Sequence, residues 1–285
     1  MEPNETPAET KLPFNNLFLN AGFVNGLNNW WMYVLGILAA MFGYFLFQIF
    51  MVFPLMASAM NHGITMSDVQ ADPNILFDPD KIGMNKNILL ALLFGMFIFT
   101  FLGLFVVIKR AHKKTLISVI TAYDKVRVNR FLFAFFVWGT FLVISAVVAY
   151  FIKPDEVKIQ FDPLNFTFLV IVCVVLMPFQ TCTEELIFRG YLVQGLSQVF
   201  KNGIVPLIIT SILFGFVHMT NPEAKAYGWV TMLPYYSIFG FFLGAIALLD
   251  EGLELPMGIH CANNLISSLL VTSPNGVLKT DAIFV

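Results

Sequence analysis

Apolar runs separated by short polar breaks make up most of the chain beyond residue 29, at residues 30–60, 88–108, 131–152, 166–179, 204–219, 229–249 and 255–271. A backbone in hydrocarbon must satisfy its own hydrogen bonds, and roughly 20 apolar residues cross the bilayer core. The pattern predicts an all-α polytopic transmembrane bundle of about seven to eight helices around a polar intramembrane cavity. The first run exceeds one crossing and contains Pro54, which predicts a tilted, kinked or over-long helix. The stretch 166–200 is longer still and is interrupted by Pro178 and by Glu184, Glu185 and Arg189. It predicts one long broken helix, or a span followed by an interfacial helix.

Composition sharpens this picture. Of 285 residues, 58% are hydrophobic and 12% charged, whereas soluble domains run at about a quarter charged. A net charge of -2 without a basic patch excludes a nucleic-acid partner and leaves membrane lipid as the constant one. Lys109, Arg110, Lys113, Lys114, Lys125, Arg127 and Arg130 crowd between the second and third runs, so loop 109–130 is expected in the cytoplasm. The acidic loop with Asp68, Asp72, Asp78 and Asp80 then faces outward, and the N-terminus inward, in a multi-pass protein of the cell membrane. The segment 1–29 carries Glu2, Glu5 and Glu9 and no basic n-region, so the first run is expected to stay as a span. Cys173, Cys182 and Cys261 show no CxxC spacing and are expected in the core. The chain divides into a polar segment 1–29, N-terminal spans 30–160, a chemistry-bearing core 165–271 and a tail 272–285.

Ionisable residues inside apolar spans cost about 2.5–3.5 kcal/mol each by insertion scales, so each calls for a partner or a use. Glu185 and Arg189 stand four apart on one helical face, acid before base, and are expected to pair. Glu184 points about 100° away around the axis. Left beside a like charge with no local cation, it is suited to act as a general base. His218 closes a run without charge in Phe214-Gly215-Phe216-Val217-His218, and His260 and Asn264 lie one turn apart in His260-Cys261-Ala262-Asn263-Asn264. The other two histidines, His62 and His112, fall in loops.

Together these groups supply what peptide hydrolysis needs: Glu184 as base, His218 to orient the water, and His260 with Asn264 as oxyanion donors. Glu184, His218 and His260 are equally a set that could ligate a divalent metal such as zinc. The HExxH spacing that marks zinc peptidases is absent.

At this point residues 165–271 resemble the CPBP intramembrane proteases, which include the type II CAAX prenyl endopeptidases and bacterial proteins linked to bacteriocin processing and immunity. That family's motifs EExxxR, FxxxH and HxxxN fall, in order, on Glu184-Glu185 to Arg189, Phe214 to His218, and His260 to Asn264. The resemblance implies a bundle of about eight helices with a cavity toward the cytosol. It also implies Glu184 as catalytic glutamate, His218 as its water-orienting partner, His260 and Asn264 as the oxyanion pair, and Glu185 and Arg189 in support. A metal-free, glutamate-activated water is the preferred mechanism, acting on a membrane-anchored or hydrophobic substrate of which a prenylated CAAX protein is one form. The rival reading is a non-catalytic binding or immunity protein of the same fold. No internal repeat supports a transporter.

One difficulty is depth. Simple crossings put His218 near the outer end of its span and His260 near the inner start of another. If the four residues converge, either the helix around 166–200 is tilted or broken, or the segment between Lys201 and Pro222 does not cross fully.

Overall fold

The structure, a computed structural model, describes residues 13–24, 26–154, 157–273, 276 and 278–285; the acidic Glu2, Glu5 and Glu9 lie outside the described residues. Each of the seven apolar runs is a helix. After a short α1 (Leu17–Val24) come α2 (Trp30–Asn61), α3 (Lys86–Arg110), α4 (Val128–Ile152), α5 (Pro163–Phe200), α6 (Ile204–Val217), α7 (Trp229–Leu249) and α8 (Glu254–Leu270). Among the described residues there are no strands, only isolated bridges such as Thr121 to Gly252 and Ile159 to Phe284. Five helices, α2 to α5 and α7, are long and apolar enough to cross a membrane. The protein is an all-α polytopic bundle.

Local chemistry sets the helix ends. Asp162 caps α5, its carboxylate accepting from the Leu164 and Asn165 amides with Pro163 at the first position. At α8 the first-turn Glu254 faces the positive end of the helix dipole and is gripped by Arg127 at 2.9 Å. The same guanidinium holds Asp250 at 2.8 Å, so the start of α8 is tied to the start of α4. A Cβ on Gly258 would run into the Phe131 carbonyl, so only glycine lets α8 lie this close to α4. On α4 the residues buried are Ala134 and Gly139, while Phe133, Phe136, Phe141 and Ile144 face outward as a lipid-facing helix requires.

Two departures from simple crossings answer the depth problem. α5 is a single 38-residue helix whose segment Leu186–Leu192 is π-helical, immediately after Glu184 and Glu185. π turns inside regular helices are frequent at functional sites. α6 has 14 residues and ends in a short 3-10 turn, His218–Thr220. It rises only about 21 Å, against the roughly 30 Å of a bilayer core. The segment therefore stops part-way, and His218 stands inside the bundle's depth instead of at its far side.

The N-terminal and C-terminal segments belong to the bundle more closely than their polarity suggests. Phe18 and Leu19 of α1 are buried against Leu186, Val193 and Leu253. In the tail, Phe284 pairs with Thr272 and Leu270, and Val285 exchanges backbone hydrogen bonds with Lys158.

From Tyr191 of the π segment onward, α5 enters a polar cluster that locks the basic loop to residues 22–33. Lys114, 4% exposed, gives its ammonium to the Gly22 carbonyl (2.6 Å), Asn28 Oδ1 (2.5 Å) and the Tyr33 hydroxyl (3.0 Å). Gln198 donates to the same Asn28 and Tyr33 oxygens at 3.0 and 2.7 Å. The Tyr191 hydroxyl meets His112 Nε2 at 2.7 Å and donates to the Met32 carbonyl at 2.8 Å. Burial lowers Lys114 from the usual lysine range to about 8, and lowers His112 as well. Part of the basic loop is thus interior structure, although its sequence reads as a solvated topology signal.

Candidate active site

Glu184 and Glu185 end the regular part of α5, and both are buried. Glu185 Oε1 accepts from Arg189 Nη1 at 2.8 Å and from His260 Nδ1 at 2.6 Å. The expected i, i+4 pair is therefore present, and it carries a third member. Arg189, 1% exposed, lies with its guanidinium 4.1 Å over the Phe214 ring and its Nε 3.4 Å from the Gly240 carbonyl. A Cβ on Gly240 would sit 3.3 Å from Arg189 Nη2, so the glycine lets α7 close over the cation.

With Nδ1 committed to Glu185, His260 turns Nε2 toward Glu184 Oε2 at 3.6 Å and toward Asn264 Nδ2 at 3.4 Å. The first distance is too long for a hydrogen bond. Glu184 Oε2 is buried without a hydrogen-bond partner, as are Glu185 Oε2 and Arg189 Nη2. Unpaired buried polar atoms are rare because each costs about 1–3 kcal/mol, and a reacting site is one place where they persist.

Asn264 is oriented from both ends of its amide. Its Nδ2 donates to Gln180 Oε1 at 3.1 Å, and its Oδ1 accepts from Asn263 Nδ2 at 3.2 Å, while Trp138 Nε1 of α4 donates to Asn263 Oδ1 at 3.3 Å. Gln180, Asn263 and Trp138 are partners that the sequence reading missed. Gln180 left a signal, a polar residue one turn before Glu184 in an apolar span; Trp138 left none.

His218 lies beside this cluster, linked to it by Phe214, whose ring centroid is 4.4 Å from that of His218 and 6.0 Å from that of His260. Its Nδ1 donates to the Phe214 carbonyl at 2.7 Å, which fixes the tautomer and leaves Nε2 as the free acceptor. Glu184, His260 and Asn264 are thus drawn into one buried group with Glu185 and Arg189, and His218 flanks it. His260, placed by the sequence among the oxyanion donors, is the imidazole nearest Glu184.

Among the described residues no three His, Cys, Asp or Glu side chains are placed to hold an ion together. His62 and His112 stand apart from the site, and no cysteine takes part in it: Cys173 and Cys261 are buried and Cys182 is partly buried, all three as free thiols.

Sequence comparison finds a likeness in the part of the chain that carries Glu184, His218, His260 and Asn264. Residues 163–266 match the family described as Type II CAAX prenyl endopeptidase Rce1-like. The match begins at the start of α5 and ends just past Asn264, so Glu184, His218, His260 and Asn264 all lie within it, while Trp138 of α4 lies outside. The chain is also similar to the uncharacterized protein YyaK of Bacillus subtilis (strain 168), 28% identical over 256 residues, or 89% of this chain and 82% of that protein. No solved structure matches it.

Proposed function

We propose that this chain is an intramembrane endopeptidase that hydrolyses a peptide bond of a membrane-anchored or hydrophobic substrate with a water activated by Glu184. The observation that carries this reading is the buried, unpaired Glu184 oxygen facing a histidine that Glu185 and Arg189 hold in place, at the centre of the region matched to a CAAX endopeptidase family.

In this reading Glu184 takes a proton from water, and the water oxygen bonds to the substrate carbonyl carbon. His218 Nε2 accepts the second water hydrogen and so aims the attack. The carbonyl oxygen becomes an oxyanion that the Asn264 amide and His260 stabilise, with Glu185 holding the His260 ring through Nδ1. Glu184 returns its proton to the leaving nitrogen as the C–N bond breaks. Each oxyanion donor of this kind contributes about 10²–10³ in rate. We place the protein in the cell membrane with its N-terminus in the cytoplasm, because Lys109, Arg110, Lys113 and Arg130 belong to the basic loop 109–130, which meets the α7–α8 turn through Ala122, Ile120 and Arg130.

The test compares membrane-protein N-terminal fragments from cells making the wild-type chain and its Glu184→Gln variant at equal membrane levels. Fragments present with wild type and absent with the variant support the peptidase and identify its substrate. Identical fragment profiles, with the chain's cellular effect kept in the variant, leave the binding-protein reading in its place.

A further inference from the structure

His218 differs from the other site residues in how it is held. Glu184 lies within α5 and His260 within α8, each fixed by a continuous helix. His218 sits on a 3-10 turn after α6 has ended, and is half-buried. A helix end frays, so the backbone alone does not fix the direction of this ring. Side chains must do it.

Two aromatic rings face it. Phe214, one turn earlier, lies 4.4 Å from the imidazole centroid at 46°. Tyr236 of α7 lies 4.4 Å away at 25°, a stacked arrangement. Asn221, just after the turn that carries His218, lies within reach of the Tyr236 hydroxyl. The approach of α7 needs a small residue opposite: a Cβ on Gly215 would collide with Ser237 Oγ, next to Tyr236. With Nδ1 tied to the Phe214 carbonyl and a ring against it on α7, the imidazole has one free polar atom, Nε2.

We infer, resting on the peptidase reading above, that Tyr236 is a positioning residue: its ring, stacked on His218, holds the imidazole so that Nε2 serves the water activated by Glu184. The stacking face does this work and the hydroxyl only steadies the turn. A phenyl ring at position 236 therefore suffices, and an aliphatic side chain does not. Misplacing a reacting group by about 1 Å costs on the order of 10²-fold in rate.

The experiment uses the full chain in lipid nanodiscs, with a fluorogenic farnesylated peptide ending in Cys-aliphatic-aliphatic-X as probe. Tyr236→Leu is expected to lower kcat by about 10²-fold with KM changed by less than about threefold, and Tyr236→Phe to keep kcat within about threefold of wild type. Histidine-labelled protein gives the independent readout, since His218 is one of only four histidines and is assigned by its loss in His218→Gln. Its ring signals should show the same ring-current displacement in wild type and Tyr236→Phe, and lose it in Tyr236→Leu while the His260 signals stay put. A Tyr236→Leu variant with wild-type kcat, or with an unmoved His218 signal, overturns the inference. If wild type leaves the peptide intact, the peptidase reading fails for this substrate class and the spectra alone decide the clamp: a shared displacement in wild type and Tyr236→Phe supports it, and coincident signals in all three proteins remove it.

Discussion

Two buried polar clusters sit on one helix, and they are built on opposite terms. Around Tyr191 and Gln198, the Lys114 ammonium, the Tyr33 and Tyr191 hydroxyls and the His112 ring all find hydrogen-bond partners between 2.5 and 3.0 Å. Around Glu184, roughly two to four turns earlier, three buried atoms find none: Glu184 Oε2, Glu185 Oε2 and Arg189 Nη2. Burial is similar, so the difference lies in satisfaction. A satisfied network rigidifies a junction, here that of the basic loop, the N-terminal segment and the end of α5. An unsatisfied one stores interaction capacity for something that arrives later.

Breaking each cluster should therefore hurt a different property. Glu184→Gln should abolish probe cleavage, a loss of about 10²–10⁴-fold or more, with an unfolding temperature in detergent equal to or above wild type. A large drop in stability would place Glu184 among the structural residues and erase the contrast. Glu185→Leu removes the anion from a buried pair and leaves Arg189 uncompensated, with an expected cost of about 3–5 kcal/mol in chemical denaturation. Activity should fall with it, because His260 loses the carboxylate on Nδ1.

On the other side, Tyr191→Phe deletes a hydroxyl shared by His112 and the Met32 carbonyl. Stability should fall by about 1–3 kcal/mol while turnover per folded molecule stays at the wild-type value. Reduced turnover at full folding would make the second cluster part of the catalytic machinery.

The smallest effect is a pH dependence. Lys114 is held at about 8 in the folded chain by burial, below its usual 10.5. Between those values the unfolded chain binds more protons than the folded one, so this group makes stability rise with pH across that window; below about pH 8 the charged amine is fully penalised. Lys114→Met should flatten the rise when unfolding is measured at pH 7.5, 8.5 and 9.5.

Much of this protein is legible without coordinates, because lipid imposes a strong and simple rule on sequence. Seven apolar runs became seven helices, and Pro54 did not break α2. The pairing of Glu185 with Arg189 followed from four-residue spacing, since helix geometry alone brings such residues together. The three motifs, from Glu184 to Asn264, all fall within the stretch 163–266 that the family match spans. Length was less well read: the fifth and seventh runs form helices of 14 and 17 residues, short of the roughly 20 that cross the bilayer core.

What periodicity fixes is the face of a helix, not the depth or the neighbour opposite. Sequence alone determined that Glu184 lacks a local cation and that His260 and Asn264 share a face. Tertiary structure decided that His260 Nδ1 lands on Glu185, that Tyr236 stacks on His218, and that His112 and Lys114 leave the basic loop for the interior. These contacts join residues 18 to 92 positions apart, and they arise from where a short helix stops and how closely glycines let neighbours approach. No local spacing rule reaches across such a distance; only the packing of the whole bundle sets it.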